Sequence, residues 1–75
     1  MSTPECPVEV APELRLGCFA NAFRVVEGGF PGECFLDFLV YSEREQKAQV
    51  VSRVRVCPSF LVCIRDRLTG LLGVG

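Results

Sequence analysis

The side chains of this sequence that could carry out chemistry are five cysteines and a small set of charged residues, because the chain contains no histidine. Histidine is the commonest general base and the commonest metal ligand of proteins. No two cysteines form the CxxC pair that is typical of zinc and iron–sulfur sites. We therefore expect no metal site, no cofactor and no catalytic residue. The cysteines are Cys6, Cys18, Cys34, Cys57 and Cys63.

A free cysteine usually packs as a small apolar side chain, and this is the role we expect for the cysteines here. Cys57 is a special case because it directly precedes Pro58, where a helix is predicted to begin. The N-terminus of a helix favours the thiolate form of a cysteine. A redox or metal role and an intermolecular disulfide remain as alternatives.

One carboxylate, Asp37, interrupts the apolar stretch CFLDFLVY at residues 34–41. A carboxylate in such surroundings could act as a general acid or base. The strand pairing predicted below places it between Arg24 and Arg53, whose positive charges lower the pKa of a carboxyl group. A carboxyl group with a lowered pKa stays ionised and cannot serve as a general acid. We therefore expect Asp37 to neutralise two arginines on one face of a sheet.

The composition indicates a domain that cannot bury all of its apolar side chains within a single chain. A chain of 75 residues forms one domain and buries only about 60% of the surface of its unfolded form. Yet 49% of the residues are hydrophobic, so part of the apolar surface is expected to be buried between chains. The net charge of −1 argues against general electrostatic binding of nucleic acid.

Periodicity predicts an α+β fold, in which a three-stranded antiparallel meander is followed by one C-terminal helix, in the order β-β-β-α. Prolines mark the N-terminal segment as an extended arm. A single domain is predicted over residues 14–72. The predicted segments are an arm at 1–13, strands at 14–26, 34–41 and 48–57, a helix at 58–72 and a tail at 73–75.

The predicted registers divide the side chains of the sheet between two faces. On the helix side, Leu36 pairs with Val54, Phe38 with Ser52, Val40 with Val50, and the first strand adds Phe23 and Val25. The pairs on the other side are Phe35–Arg55, Asp37–Arg53, Leu39–Val51 and Tyr41–Gln49. The expected core consists of Phe23, Val25, Leu36, Phe38, Val40, Val54, Leu61, Ile64, Leu68 and Leu71. The expected interface consists of Arg24, Phe35, Asp37, Leu39, Tyr41, Val51, Arg53 and Arg55.

The expected interface face keeps apolar residues among its charges, a composition typical of a partner surface. The simplest partner is a second copy, with sheet stacked on sheet in a dimer or tetramer. A different protein could dock there instead. The N-terminal arm could also cover the face itself, through Val8, Val10, Leu14 and Leu16.

A nucleic-acid interface is a further alternative for the same face. Aromatic residues flanked by arginines can stack the bases of single-stranded nucleic acid. Asp37 stands at the centre of this platform, however, and Glu43 and Glu45 flank the neighbouring turn. These carboxylates argue against nucleic acid as the partner.

Three segments, FANAFRV, CFLDF and VVSRVRVCPSFLVCIRDRLTGLL, resemble a small family of uncharacterised bacterial and archaeal proteins. The shared features are an aromatic-x-Leu-Asp-Phe strand, an Ala/Arg-Val strand, a Ser-Pro-like step and a leucine-striped helix, over residues 19–72. The layout is also similar to that of the SecB export chaperone, which oligomerises through its sheets. That similarity implies a chaperone or adaptor that binds extended apolar polypeptide. The chain is about half as long as a SecB subunit and lacks a second long helix and an acidic tail. Cys57 also stands where a serine is expected before Pro58. For these reasons the resemblance assigns no binding residues to this chain.

These observations predict a small homo-oligomeric protein-interaction domain that is not an enzyme and could act as a SecB-like chaperone or adaptor. The alternatives are a structural or bridging subunit of a larger assembly, and a single-stranded nucleic-acid binder. The first residues lack the basic and apolar regions of a signal peptide. No apolar run reaches the length of about 18 residues that a membrane helix needs. We therefore expect a cytoplasmic protein, without membrane contact, whose cysteines stay reduced.

Overall fold

The fold is an antiparallel sheet followed by an α-helix. A computed structural model describes residues 5–73 of the chain. After a short 3-10 helix at Pro12–Leu14, the elements are β1 (Ala22–Glu27), β2 (Cys34–Ser42), β3 (Lys47–Val56) and α1 (Pro58–Leu72). The strands lie in the order β1-β2-β3, so β2 is central. The predicted α+β meander with a C-terminal helix is confirmed.

The first strand begins at Ala22, so the predicted start at residue 14 is wrong. In the register of β1 and β2, residues before 19 would lie opposite residues beyond Ser42, where β2 has ended. The side chain of Asn21 closes the ladder instead. Its Nδ2 donates to the carbonyl oxygen of Tyr41 at 3.0 Å, and its Oδ1 accepts from the N–H of Tyr41 at 2.7 Å. One amide side chain thus replaces a backbone partner for β2.

The register between β1 and β2 is the predicted one. Arg24 lies opposite Asp37, and the pairs on either side also match the prediction. The strands are joined by a loop in which the N–H of Gly28 donates to the carbonyl oxygen of Glu33 at 3.3 Å. A Cβ at Gly28 would lie 3.2 Å from the same oxygen, so glycine permits this close approach.

The register between β2 and β3 changes at a bulge. Asp37 lies opposite Arg53 as predicted, but Leu39 lies opposite Val50 rather than Val51. Val51 is the extra residue of β3, and a bulge leaves such a residue without a partner in the ladder. Beyond the bulge, the predicted pairs Val40–Val50 and Tyr41–Gln49 are wrong, and the observed pairs are Val40–Gln49, Tyr41–Ala48 and Ser42–Lys47.

The bulge compensates for a short turn. The sequence predicts a loop of about five residues, whereas the strands are joined by residues 43–46. Gln46 adopts the left-handed conformation with φ of 55°, and its Nε2 donates to the carbonyl oxygen of Glu43 at 2.8 Å. Because the turn is one residue short, the extra residue at Val51 restores the predicted pairing for the rest of the hairpin.

The helix α1 follows β3 after one residue, Cys57. Pro58 occupies the first helical position, where its missing N–H costs no hydrogen bond. The helix ends at Gly73, whose φ of 69° is left-handed and whose N–H donates to the carbonyl oxygen of Thr69 at 3.1 Å. This left-handed cap is the usual place for glycine.

A single chain does not close the predicted core. Among residues 5–73 the buried apolar side chains are Cys34, Leu39 and Val56. Four of the predicted core residues are half-buried, namely Leu36, Val40, Leu61 and Ile64. The other six are exposed, namely Phe23, Val25, Phe38, Val54, Leu68 and Leu71. The prediction of a closed core is therefore wrong for the isolated chain, because α1 covers only part of the sheet.

Candidate interaction surfaces

One face of the sheet carries a charged row formed by Arg24, Asp37 and Arg53. Arg53 donates from Nε to Oδ1 of Asp37 at 2.7 Å and from Nη2 to Oδ2 at 2.8 Å. Arg24 donates from Nε to Oδ2 at 2.9 Å. The Asp37 side chain is fully buried, whereas both arginines are about half exposed. The carboxylate is therefore shielded from water by the side chains around it, at the surface of the sheet.

The charged row holds Asp37 in its ionised form. The hydrogen bonds from Arg53 are the main cause that lowers the pKa of Asp37 to about 2. Burial opposes this effect, and the hydrogen bond from Arg24 adds to it. The same pairing raises the pKa of Arg53. A carboxyl group with so low a pKa holds no proton to donate near neutral pH, so the geometry is that of a counter-charge.

Two arginines of β3, Arg53 in the row and Arg55 beside it, stack on aromatic rings. The guanidinium carbon of Arg53 lies 4.5 Å from the ring centroid of Phe35, and that of Arg55 lies 4.4 Å from the ring centroid of Phe30. Arg55 also forms an ion pair with Glu33, with 3.0 Å between Nε and Oε1. The guanidinium group of Arg53 therefore covers one face of Phe35, whereas Tyr41, the other aromatic residue of the expected interface, is exposed.

Apart from Val51, which is the unpaired residue of the bulge, the predicted interface residues lie on this face, but the chain itself covers part of the surface. Leu39 is buried and Phe35 is half-buried. Tyr41 and the bulge residue Val51 remain exposed. The N-terminal arm is not the cover that one alternative proposed, because its apolar side chains are exposed. These are Val8, Val10, Leu14 and Leu16.

An open apolar groove lies on the other side of the sheet, between the strands β1 and β2 and the helix α1. Its volume is about 410 Å³. The sheet contributes Phe23, Val25, Leu36 and Phe38 to its walls. The helix contributes Leu61, Ile64, Arg65 and Leu68. Sequence reasoning assigned the apolar members of this set to a closed core and so missed that they form an accessible surface.

Along the apolar stripe of α1, the exposed fraction of the side chains rises towards the C-terminal end. Leu61 and Ile64 are half-buried, Leu68 is 48% exposed and Leu71 is 67% exposed. The start of the helix is held beside the sheet because the connection through Cys57 is so short. The apolar groove therefore becomes more accessible towards the C-terminal end of α1.

One flank of α1 beside the groove is also apolar and uncovered, because Phe60 and Leu71 are exposed and lie on the same side of the helix, three turns apart. The exposed apolar residues of the helix that do not line the groove are Phe60, Val62, Leu71 and Leu72. An apolar stripe on a helix normally faces a core, and the isolated chain provides no core for this flank of α1.

The cysteines are five free thiols, of which Cys34 is buried and Cys63 is partly buried. Cys57 occupies the N-cap of α1, and its Sγ lies 3.2 Å from the hydroxyl oxygen of Ser59. The hydrogen bond with Ser59 is the main cause that lowers the pKa of the Cys57 thiol. No group of three or more histidine, cysteine, aspartate or glutamate side chains within residues 5–73 could hold a metal ion.

No family model, curated protein or solved structure matches the chain. Within the described part of the chain, no helix is both long enough and apolar enough to cross a membrane.

Proposed function

We propose that this chain is a homo-oligomeric protein-interaction domain that buries its apolar groove against polypeptide. The observation that carries the proposal is the surface left in contact with water. The single chain exposes 6613 Å², whereas a folded monomer of this mass exposes about 4,600 Å². The excess is larger than the roughly 800 Å² that each partner buries in a standard protein–protein interface.

Polypeptide fits the groove better than a small molecule does. Pockets for small molecules combine apolar walls with several convergent polar groups, which orient the ligand. Here the walls are apolar side chains apart from Arg65. Apolar side chains projecting from a peptide or helix need no such polar anchors, because their burial supplies the binding energy.

A chaperone or adaptor for extended apolar polypeptide is the fuller form of the proposal, and the resemblance to SecB supports it. The alternative is a structural or bridging subunit, in which the same groove holds one fixed partner in a larger assembly. A chaperone binds many unrelated unfolded peptides through exposed apolar surface. A structural subunit binds none of them, so a peptide-binding measurement separates the two.

We infer no catalytic activity, since Asp37 is held as an ion by its two arginines. Nucleic acid is not proposed as a partner, because the arginines beside Phe30 and Phe35 are already paired with carboxylates. A cytoplasmic location is proposed as well. Its support is the set of five free thiols, which a reducing compartment preserves.

Sedimentation equilibrium at micromolar concentration, together with the fluorescence anisotropy of a labelled unfolded apolar peptide, tests the proposal. We expect a dimer or a higher oligomer, and saturable binding of peptide if the chain is a chaperone. An oligomer that binds no peptide supports the structural subunit. A folded monomer that binds no peptide at any concentration overturns the proposal.

A further inference from the structure

We infer that the apolar groove is occupied by the helix α1 of a second copy of this chain, in a two-fold dimer. This inference rests on the proposed function and names the partner of the groove. It differs from the interface expected on the face of the charged row, because it places the contact on the opposite side of the sheet.

Two deficits of the single chain point to the same partner. The groove lacks an apolar occupant, and the flank of α1 that carries Phe60 and Leu71 lacks an apolar cover. A two-fold contact is reciprocal, so each copy receives what it gives. Placing α1 of one copy in the groove of the other therefore fills both grooves and covers both helices with one interface. A foreign partner that only filled the groove would leave the flank with Phe60 and Leu71 exposed.

The exposed area is sufficient for such a dimer. The 6613 Å² of a single chain exceeds the expectation for a monomer of this mass by about 2,000 Å². Part of this excess lies on the N-terminal arm, around Val8 and Leu16. A standard interface needs only about 800 Å² from each partner, and the groove and helix together carry most of the remaining large exposed apolar side chains.

Charge does not oppose the contact. Arg65 lies at the rim of the groove, and its Nη2 is 3.0 Å from Oδ1 of the adjacent Asp66. The net charge is −1, so two copies approach without strong mutual repulsion. By comparison, the opposite face presents the arginines of the charged row around a carboxylate that is already satisfied.

Phe23 and Phe19 provide a matched pair of variants. Both are exposed phenylalanines, at 68% and 71%, but Phe23 lines the groove and Phe19 lies outside it. In sedimentation velocity we expect Phe23→Asp to raise the dimer dissociation constant by about 30-fold or more, the effect of losing an interface anchor. Phe19→Asp should leave the constant near that of the parent. Equal weakening by both variants would overturn the inference.

A second measurement does not depend on how the variants fold. Equal amounts of ¹³C-labelled and unlabelled chain are mixed, and isotope-filtered NOEs are recorded from the methyl groups of α1. Contacts to the rings of Phe23 and Phe38 in the other copy support the inference. An oligomer whose contacts between copies involve Tyr41 and Val51 instead overturns it and leaves the proposed function standing.

The oligomeric state of the chain without peptide distinguishes the remaining outcomes. A monomer that binds the apolar peptide overturns the dimer and retains an interaction domain whose groove takes other proteins. A monomer that binds no peptide overturns both proposals.

Discussion

Arg53 binds Asp37 through both carboxylate oxygens, whereas Arg24 reaches one of them. The two arginines are therefore not equivalent, although they flank the carboxylate symmetrically in the ladder. Loss of Arg24 leaves Asp37 with a two-point contact. Loss of Arg53 leaves Asp37 with one hydrogen bond and removes part of the cover that shields the carboxylate from water.

The first prediction concerns the order of destabilisation in the charged row. We expect Asp37→Ala to lower the melting temperature most, because two adjacent arginines lose their shared counter-charge. Arg53→Ala should follow, and Arg24→Ala should have the smallest effect. The double variant Asp37→Leu with Arg53→Leu should recover part of the loss, since it removes a charge together with its partner. Thermal unfolding followed by circular dichroism gives the order, and Arg24→Ala as the most harmful variant would contradict it.

The second prediction is a pH dependence that belongs to Asp37. Its pKa falls from 3.8 to about 2 on folding, so the folded state favours the ionised form. The stabilisation is complete above the unfolded pKa and is lost as the pH falls through the folded one. We expect the melting temperatures of the parent and of Asp37→Asn to differ by a constant amount above about pH 4 and to converge towards pH 2. A difference that persists undiminished at pH 2 would show that charge is not its cause.

The third prediction concerns the side chain that ends the ladder. Asn21→Ala removes both hydrogen bonds to the backbone of Tyr41 and should cost about 0.5–1.5 kcal/mol of unfolding free energy, since the site is exposed. Asn21→Asp is the matched control. It keeps the acceptor for the N–H of Tyr41 but places a carboxylate oxygen beside the carbonyl oxygen in place of the donor, so it tests the donated bond and should also destabilise the fold. Urea denaturation measures both variants, and equal stability of Asn21→Ala and the parent would refute the role.

The fourth prediction compares two glycines near the end of the helix. A methyl group at Gly70 would meet no atom within 4 Å, so Gly70→Ala should stabilise the fold by about 0.5–1 kcal/mol through helix propensity. Gly73 has a φ of 69°, and alanine there should cost about 1–2 kcal/mol. Opposite signs in urea denaturation are the expected result. Should Gly70→Ala weaken assembly while stabilising the single chain, the helix face at Gly70 lies against a partner.

The part of the fold that the sequence predicts best is the charged row. Alternation of apolar and polar residues specifies which face each side chain occupies, and a slip of one residue between β1 and β2 would place Asp37 on the helix side. The pairing of Arg24 with Asp37 was therefore predictable from the pattern. The same holds for Arg53, because it lies on the side of the bulge where the observed register is the predicted one.

The bulge was not predictable because the sequence offers two equal choices. Val50 and Val51 are both valine, so either can face Leu39 with the same apolar burial. The hydrophobic pattern therefore does not indicate which of the two valines pairs with Leu39. The length of the turn decides it, and turn length is set by local backbone geometry at residues such as Gln46.

The groove was missed for a different reason. A stripe such as Leu61, Ile64 and Leu68 indicates which side of a helix is apolar. It does not indicate how closely the helix approaches the sheet. That distance depends on the connection at Cys57 and on what else occupies the space between the two elements.

The pairing of a short turn with a bulge has a consequence for how this hairpin can change in evolution. A relative with one more residue between positions 42 and 47 would no longer need the extra residue at Val51. Insertions in the turn and deletions near Val51 should therefore occur together, since either change alone would shift the phase of Tyr41 and its neighbours relative to β3. In an aligned set of relatives, gaps at these two places should appear as compensating pairs.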